Sequence, residues 1–250
     1  MKILLTNDDG IYADGLSVLY RELSKFADCL VVAPDTQKSS VGHGITLSYP
    51  VWAKKIHRDG KLFGYAISGT PADCVKFAVS VLLKQKPDIV VSGINLGDND
   101  GCSVFYSGTV AGAREGALLG IPSMAVSLAA FVDPNYTFAA KCAAKIARQM
   151  KKNKIPKGTF LNVNVPNKPS RTIKGVKMTK QGLEPIHARF HKRNDPQENV
   201  YYWLSGKPAF GRNYDGSDTI ALRHNYVTVT PIHVDSTDYV FLNELKKWKL

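Results

Sequence analysis

Cysteine is scarce in this chain, with four among 250 residues. Cys29, Cys74, Cys102 and Cys142 are scattered and form neither a C-x-x-C pair nor a zinc-like set, which argues against a disulfide scaffold and suits a reducing compartment. Long apolar runs are missing too. Stretches such as 89–91 and 121–130 fall far short of the ~20 residues that a membrane span requires, so no membrane partner is expected. At the N-terminus, Asn7-Asp8-Asp9 follows a very short apolar run, with no basic flank and no small-residue cleavage site. A cytoplasmic location is expected. Three familiar devices are absent as well: no G-x-x-x-x-G-K-[ST] phosphate loop, no G-x-G-x-x-G after the first apolar run, and no G-x-S-x-G elbow. Gly42-His43-Gly44 is only half of the dinucleotide fingerprint.

What is abundant is positive charge. The net charge is +12 and the pI about 9.5, which draws anionic partners of any kind, from phosphorylated metabolites to nucleic acid. The basic residues are dispersed, however. Local clusters at Lys151-Lys152, His191-Lys192-Arg193 and Lys246-Lys247 read as solvated faces rather than a binding stripe. His187 and His191 would have metal-like spacing on a helix, but nearby Pro185 and the aromatic neighbours favour a surface or core role.

Residues 2–6 form a short apolar run ending in a polar turn, and 15–26 follow with Leu16, Leu19, Leu23 and Phe26 at helical spacing. The same alternation continues. Strands are predicted at 29–33, 88–92 and 123–127, and helices at 70–83 and 109–119. Segments 46–56 and 61–67 read as a hairpin around Arg58-Asp59-Gly60, added beside the main sheet. A helix at 138–152 and strands at 160–165 and 174–179 extend the core. Strands alternating with helices imply parallel pairing through right-handed crossovers, hence an α/β fold with a Rossmann-like, doubly wound, mainly parallel sheet. The division expected is a catalytic core over 1–180 and a C-terminal extension over 181–250, with a hairpin and a tail in an oligomer interface. Within the extension, 182–216 resists assignment beyond a strand at 200–204, 226–231 alternates like a strand, and 239–249 reads as a terminal helix.

Asn7-Asp8-Asp9-Gly10 stands directly after the first strand, at the edge where such sheets bind ligands. Adjacent carboxylates repel unless a cation or proton bridges them, and hard oxygen donors select Mg²⁺, Mn²⁺ or Ca²⁺. The plainer alternative is a turn with a helix N-cap. Lys38-Ser39-Ser40 and Ser92-Gly93-Ile94-Asn95 fall after two other strands and offer neutral oxygens to the same edge. Tyr106-Ser107-Gly108-Thr109-Val110 opens a helix whose N–H groups suit an anion, while ordinary capping by Ser107 or Thr109 explains it equally well. At Ser68-Gly69-Thr70-Pro71-Ala72-Asp73, capping is the better explanation.

Taken together, Thr6 to Gly10, Val32-Ala33-Pro34-Asp35 with Ser39, Gly69 to Val75, Pro87 to Asn95 and Tyr106 to Val110 resemble the SurE survival-protein nucleotidases. The pieces span about the first 130 residues in order, and Tyr226-Val227 through Thr230-Pro231 is similar to the family's C-terminal strand. The resemblance implies a cytoplasmic phosphatase acting on nucleoside 5′- and 3′-monophosphates, and in some members on short polyphosphate, with Mg²⁺ or Mn²⁺ as cofactor. It also implies metal ligation by Asp8, Asp9, Ser39 and Asn95, catalytic roles for Asp8 and Asp9, and a homodimer or homotetramer that exchanges C-terminal segments. Ser40 stands where relatives more often carry glycine.

The mechanism expected is phosphoryl transfer in which a cation on Asp8 and Asp9 neutralises charge at phosphorus, with Asn95, Ser107, Gly108, Thr109 and Ser40 holding phosphate oxygens. The attacking group is either water, which is favoured, or Asp8 as a covalent nucleophile. Adjacent aspartates differ from the Asp-x-Asp of haloacid-dehalogenase-type enzymes. Two rivals remain: a phosphatase of a non-nucleotide ester, and a non-enzymatic nucleic-acid-binding protein, for which no recognition signature accompanies the charge. No stable nucleic-acid complex is expected.

Overall fold

The computed structural model describes residues 1–183, 186–208 and 216–249. Residues 184–185, 209–215 and 250, all in the expected extension, and the side chains of Ile186, His187, Lys207 and Pro208 lie outside the described residues.

Strand β1 (Lys2–Thr6) leads into helix α1 (Asp14–Leu23) and then β2 (Asp28–Pro34). Strands β3 (Ala53–Arg58) and β4 (Lys61–Ile67) are followed by α2 (Pro71–Phe77), which continues through a π-helical turn over Ala78–Leu82. The long strand β5 (Ile89–Leu96), α3 (Gly108–Leu118), β6 (Ser123–Ala129), α4 (Tyr136–Lys152) and β7 (Thr159–Pro166) complete the regular alternation. Beyond it lie β8 (Val176–Met178), the hairpin β9 (Ile186–Asn194) and β10 (Val200–Pro208), α5 (Asp218–Arg223), β11 (Val227–His233) and α6 (Tyr239–Leu245).

The main sheet runs β3-β4-β2-β1-β5-β6-β7-β11-β8, and β9 pairs only with β10. From β4 to β7 all neighbours are parallel. Strand β1 lies between β2 and β5, with Leu5 opposite both Val31 and Val91. That is the point where the chain reverses its direction of travel across the sheet, and crevices open there beyond the strand ends.

Helices α1 and α4 cover one face, packing Leu16, Leu19, Leu23 and the alanines of α4 against Ile3, Leu5 and Val91. Each fully buried leucine contributes about 1.5–3 kcal/mol. Helix α2 places Cys74 and Val75 on the other face against Leu4 and Val32. Helix α3 lies very close to the sheet, and its composition explains how. A Cβ on Gly112 would stand 2.7 Å from Ser92 Oγ, and one on Gly116 2.2 Å from Ser123 Oγ. The Gly/Ala-rich sequence is thus what lets α3 press its N-terminus down to the end of β1.

Several boundaries depart from the sequence reading. The segment expected as a strand from 46 begins only at Ala53, because Thr46 gives its N–H to Asp73 and Pro50 has no N–H to offer a ladder. Strand β4 is not an appendage. It pairs in parallel with β2, leaving only β3 as the antiparallel edge. Strand β11 enters the main sheet antiparallel to β7, β9 and β10 form a hairpin within the expected extension, and α5 lies outside the elements expected from sequence.

Candidate active site

The end of β1 is a tight turn. Asn7 Nδ2 donates to the Gly10 carbonyl at 2.9 Å, and Gly10 itself takes a φ of +98°, a conformation that favours glycine. This turn fixes Asp8 and Asp9 in different surroundings. Asp8, only 4% exposed, accepts a short hydrogen bond from the Thr109 hydroxyl and another from the Thr109 backbone N–H. Asp9 Oδ2 accepts from the Leu96 N–H at 3.1 Å.

Both carboxylates are held above their ordinary range. Burial pushes Asp8 up to about 6; the Thr109 hydroxyl opposes that rise and the Asp9 charge adds to it. Burial also raises Asp9, against hydrogen bonds from the Leu96 N–H and the Gln37 side chain. Among the described residues, no lysine or arginine forms a salt bridge with either aspartate.

Helix α3 supplies the opposite wall. Ser107 caps it by accepting from the Val110 N–H at 3.1 Å. A Cβ on Gly108 would lie 2.8 Å from Asp8 Cβ and 2.9 Å from its Oδ2, so only glycine allows the helix to start directly against the carboxylate. The positive end of the helix dipole therefore faces Asp8.

Asp8, Ser39, Ser40, Asn95 and Ser107 line one cleft of about 620 Å³. Asp9, Gly108 and Thr109 back it rather than line it, and the Thr109 hydroxyl is turned to Asp8. Asn95 Nδ2 donates to the Gly97 carbonyl at 2.7 Å, with no bond to its Oδ1 found among the described residues. Ser39 Oγ accepts from Gln37 Nε2 at 2.9 Å. Ser40 sits at a φ of +57°.

The donors gathered here are two carboxylates, a hydroxyl and a carboxamide oxygen. That set fits a hard divalent cation, which would relieve the raised Asp8 and Asp9. No group of three or more His, Cys, Asp or Glu suited to a metal occurs among the described residues.

A match to the family model for Survival protein SurE extends over residues 3–188. The chain belongs to the SurE family. It is 47% identical over 250 residues to the 5′-nucleotidase SurE of Syntrophobacter fumaroxidans, covering 100% of both chains. Against the 5′-nucleotidase SurE of Syntrophus aciditrophicus it is 50% identical over 247 residues, covering 98% of this chain and 93% of that one. The crystal structure of the SurE protein from Aquifex aeolicus superposes with a TM-score of 0.87 at 40% identity, over 98% of each chain.

Some residues of this SurE cleft had not been singled out from sequence. Gln37 reaches both Ser39 and Asp9. Phe131, 78% exposed, lies against Gly97 and lines the cleft with Leu96, Tyr106 and Leu204. Asn99 gives its N–H to Asn164 Oδ1 and its Nδ2 to Ser127 Oγ, both at 2.8 Å, which ties down the chain after β5. For Gln37, Asn99 and Phe131 the only signal was position, since each follows a strand of the main sheet. The side chain of His187 lies outside the described residues, and His191 Nε2 is 2.9 Å from Ser205 Oγ on the exposed hairpin.

Proposed function

We propose that this protein is a divalent-cation-dependent 5′-nucleotidase, a phosphoric monoester hydrolase that cleaves nucleoside 5′-monophosphates, and also 3′-monophosphates and short polyphosphate. The carrying observation is the buried Asp8, raised to about 6, standing at the N-terminus of α3 beside Asp9. The shared name of its SurE relatives supports the reading.

Asp8, Asp9, Ser39 and Asn95 would hold Mg²⁺ or Mn²⁺. When bound, the cation supplies positive charge to the phosphoryl group and relieves the two carboxylates. Ser107, Ser40 and the N–H groups at the start of α3, Gly108 included, orient the phosphate oxygens. Thr109 keeps Asp8 in place through its hydroxyl and N–H. Water is the attacking group favoured, and the leaving nucleoside oxygen takes up a proton as the P–O bond breaks. The cleft extends from these polar residues to Leu96, Tyr106, Phe131 and Leu204, walls suited to a nucleoside.

Release of phosphate from a panel of 5′- and 3′-nucleotides, ribose 5-phosphate and glycerol phosphate tests the reading. Turnover of nucleotides with Mn²⁺, its loss in excess EDTA and its return on adding metal are expected. Equal turnover of glycerol phosphate would favour a non-nucleotide ester, and salt-sensitive oligonucleotide binding without hydrolysis would favour the nucleic-acid rival.

The division into a core over 1–180 and an extension over 181–250 is part of the same proposal, with β11 as the extension's return to the main sheet. Phe190, Tyr202, Trp203 and Leu204 on the hairpin, and Tyr239, Val240 and Phe241 on α6, are all exposed. A second copy of the chain is the partner proposed to cover them, so a homodimer or homotetramer is expected by light scattering at micromolar concentration. A fully active monomer would refute that assembly. No helix among the described residues is long and apolar enough to cross a membrane; a cytoplasmic location remains part of the proposal.

A further inference from the structure

One buried titratable group has no part in the chemistry above. Glu115 is the lone acid of α3 and only 2% exposed. Its carboxylate is shared. Oε2 lies 2.8 Å from His43 Nε2, and Oε1 lies 2.7 Å from Lys76 Nζ on α2. Burial pushes the Glu115 carboxyl up, but the hydrogen bonds from His43 and Lys76 and their charges outweigh it, and the group is held below its ordinary range.

His43 belongs to the segment between β2 and β3, which carries Ser39 and Ser40. That segment has little regular structure and is held by contacts to other elements. Its Lys38 N–H donates to the Asp8 carbonyl at 2.7 Å, and its Gly42 N–H to the Tyr106 carbonyl at 2.9 Å. Further along, Thr70 Oγ1 donates to the Gly44 carbonyl at 2.7 Å, and Thr46 Oγ1 to Asp73 Oδ2 at 2.6 Å. His43 supplies the one contact among these in which a loop side chain meets a buried acid of α3, the helix whose first turn abuts Asp8.

We infer that Glu115 is a positioning residue: by holding His43 and Lys76 together it sets where the loop presents Ser39 and Ser40 to Asp8. The inference rests on the proposed reading of that edge as the active site. The arrangement has a physical logic. Helix α3 is rigid and pressed against the sheet through Gly112 and Gly116, so a loop latched to it inherits the same frame as the helix N-terminus that faces Asp8. Because Glu115 is buried, water competes poorly for His43, and a partner removed from such a pair leaves an uncompensated group. An exposed ion pair could not fix a loop in this way, since its net contribution is small.

The test uses the full-length protein with Glu115→Gln, His43→Ala, the double variant, and His43→Gln, whose amide can donate where Nε2 does. Hydrogen–deuterium exchange over residues 36–47 reads the loop directly through the Lys38 and Gly42 amides. Expected are about tenfold faster exchange in Glu115→Gln and His43→Ala with the core of α3 unchanged, a comparable rise in KM for a nucleoside monophosphate, and a double variant no worse than either single one. His43→Gln should recover most of both effects. Unchanged loop exchange in folded His43→Ala, or effects of the two single changes that simply add, would overturn the inference. The exchange readout stands apart from activity: if the wild-type protein hydrolyses no nucleotide, the functional reading fails while the latch is still tested.

Discussion

Replacing Asp8 by asparagine should stabilise this protein in the absence of metal while destroying its activity. The magnitude follows from the surroundings of the side chain. Burial, with the Asp9 charge added and the Thr109 hydroxyl opposing, raises the Asp8 carboxyl from 3.8 to about 6. A folded-state value above the unfolded one means that the ionised form is penalised by folding. The penalty is absent below the unfolded value, builds as pH rises, and is complete above about 6. Near pH 8 it amounts to about 3 kcal/mol, and at pH 4.5 to about 1 kcal/mol. Asparagine is nearly the same shape, still accepts from Thr109, and carries no charge. In EDTA at pH 8 the Asp8→Asn protein should therefore melt higher by roughly 6–12 °C for a chain of this size, with a smaller gain at pH 4.5. Mn²⁺ at a thousand times its Kd should reverse the order: it adds about 4.1 kcal/mol to the protein that binds it, more than the penalty, and the variant should gain little. Turnover should fall by orders of magnitude, since each ~1.4 kcal/mol of lost transition-state stabilisation is tenfold in rate. Thermal melts at the two pH values, with and without Mn²⁺, decide the matter. A variant less stable than wild type in EDTA at pH 8, or a gain of equal size at both pH values, would refute the assignment of an electrostatic penalty to Asp8.

Two further substitutions probe the geometry around the same carboxylate. Gly108→Ala places a methyl group 2.8 Å from Asp8 Cβ; displacing the carboxylate should lower kcat/KM by about a hundredfold and stability by about 1–3 kcal/mol, and wild-type kinetics would show that the close approach is unimportant. Ser40→Gly should raise stability by about 1 kcal/mol by relieving the φ of +57°, together with a modest rise in KM for lack of the hydroxyl. A lower melting temperature would mean that Ser40 makes a contact worth more than its backbone cost.

The core was legible because its strands and helices carry their periodicity locally. Leu16, Leu19 and Leu23 mark the buried stripe of α1, and the parallel strands read as short apolar runs because both of their faces are covered. The cleft was legible for a related reason: Asp8, Ser39 and Ser107 lie beyond strand ends and Asn95 next to the last residue of β5, and a doubly wound sheet brings such ends to one edge. What could not be read is whatever depends on long-range pairing. Nothing in residues 46–52 announces that Thr46 will bond Asp73 rather than a neighbouring strand. The hairpin strand β9, Ile186–Asn194, buries none of its described side chains in this chain, so no apolar alternation selects it. Short helix α5 rests on a cap at Ser217 rather than on a stripe. The direction of β11 is invisible to periodicity, since alternation is the same in parallel and antiparallel strands.

The surplus of positive charge, which first suggested a nucleic-acid partner, is better understood through where it is not. The chain has 33 lysines and arginines, yet among the described residues none forms a salt bridge with Asp8 or Asp9. A guanidinium or ammonium between those carboxylates would remove the electrostatic penalty at once, and would also occupy the place proposed for a cation and a phosphate. The chain instead offsets the penalty with neutral donors: the Thr109 hydroxyl and N–H, the Leu96 N–H and the Gln37 amide. Neutral donors hold a carboxylate in position without cancelling its charge, so they leave its affinity for a divalent ion intact. Elsewhere in the molecule a buried acid is treated in the opposite way, with Glu115 matched by both Lys76 and His43. The contrast between Glu115, paired with two cations, and Asp8, which has no ion pair among the described residues, supports the proposed use of Asp8 and Asp9 in chemistry, and it does so without reference to any relative.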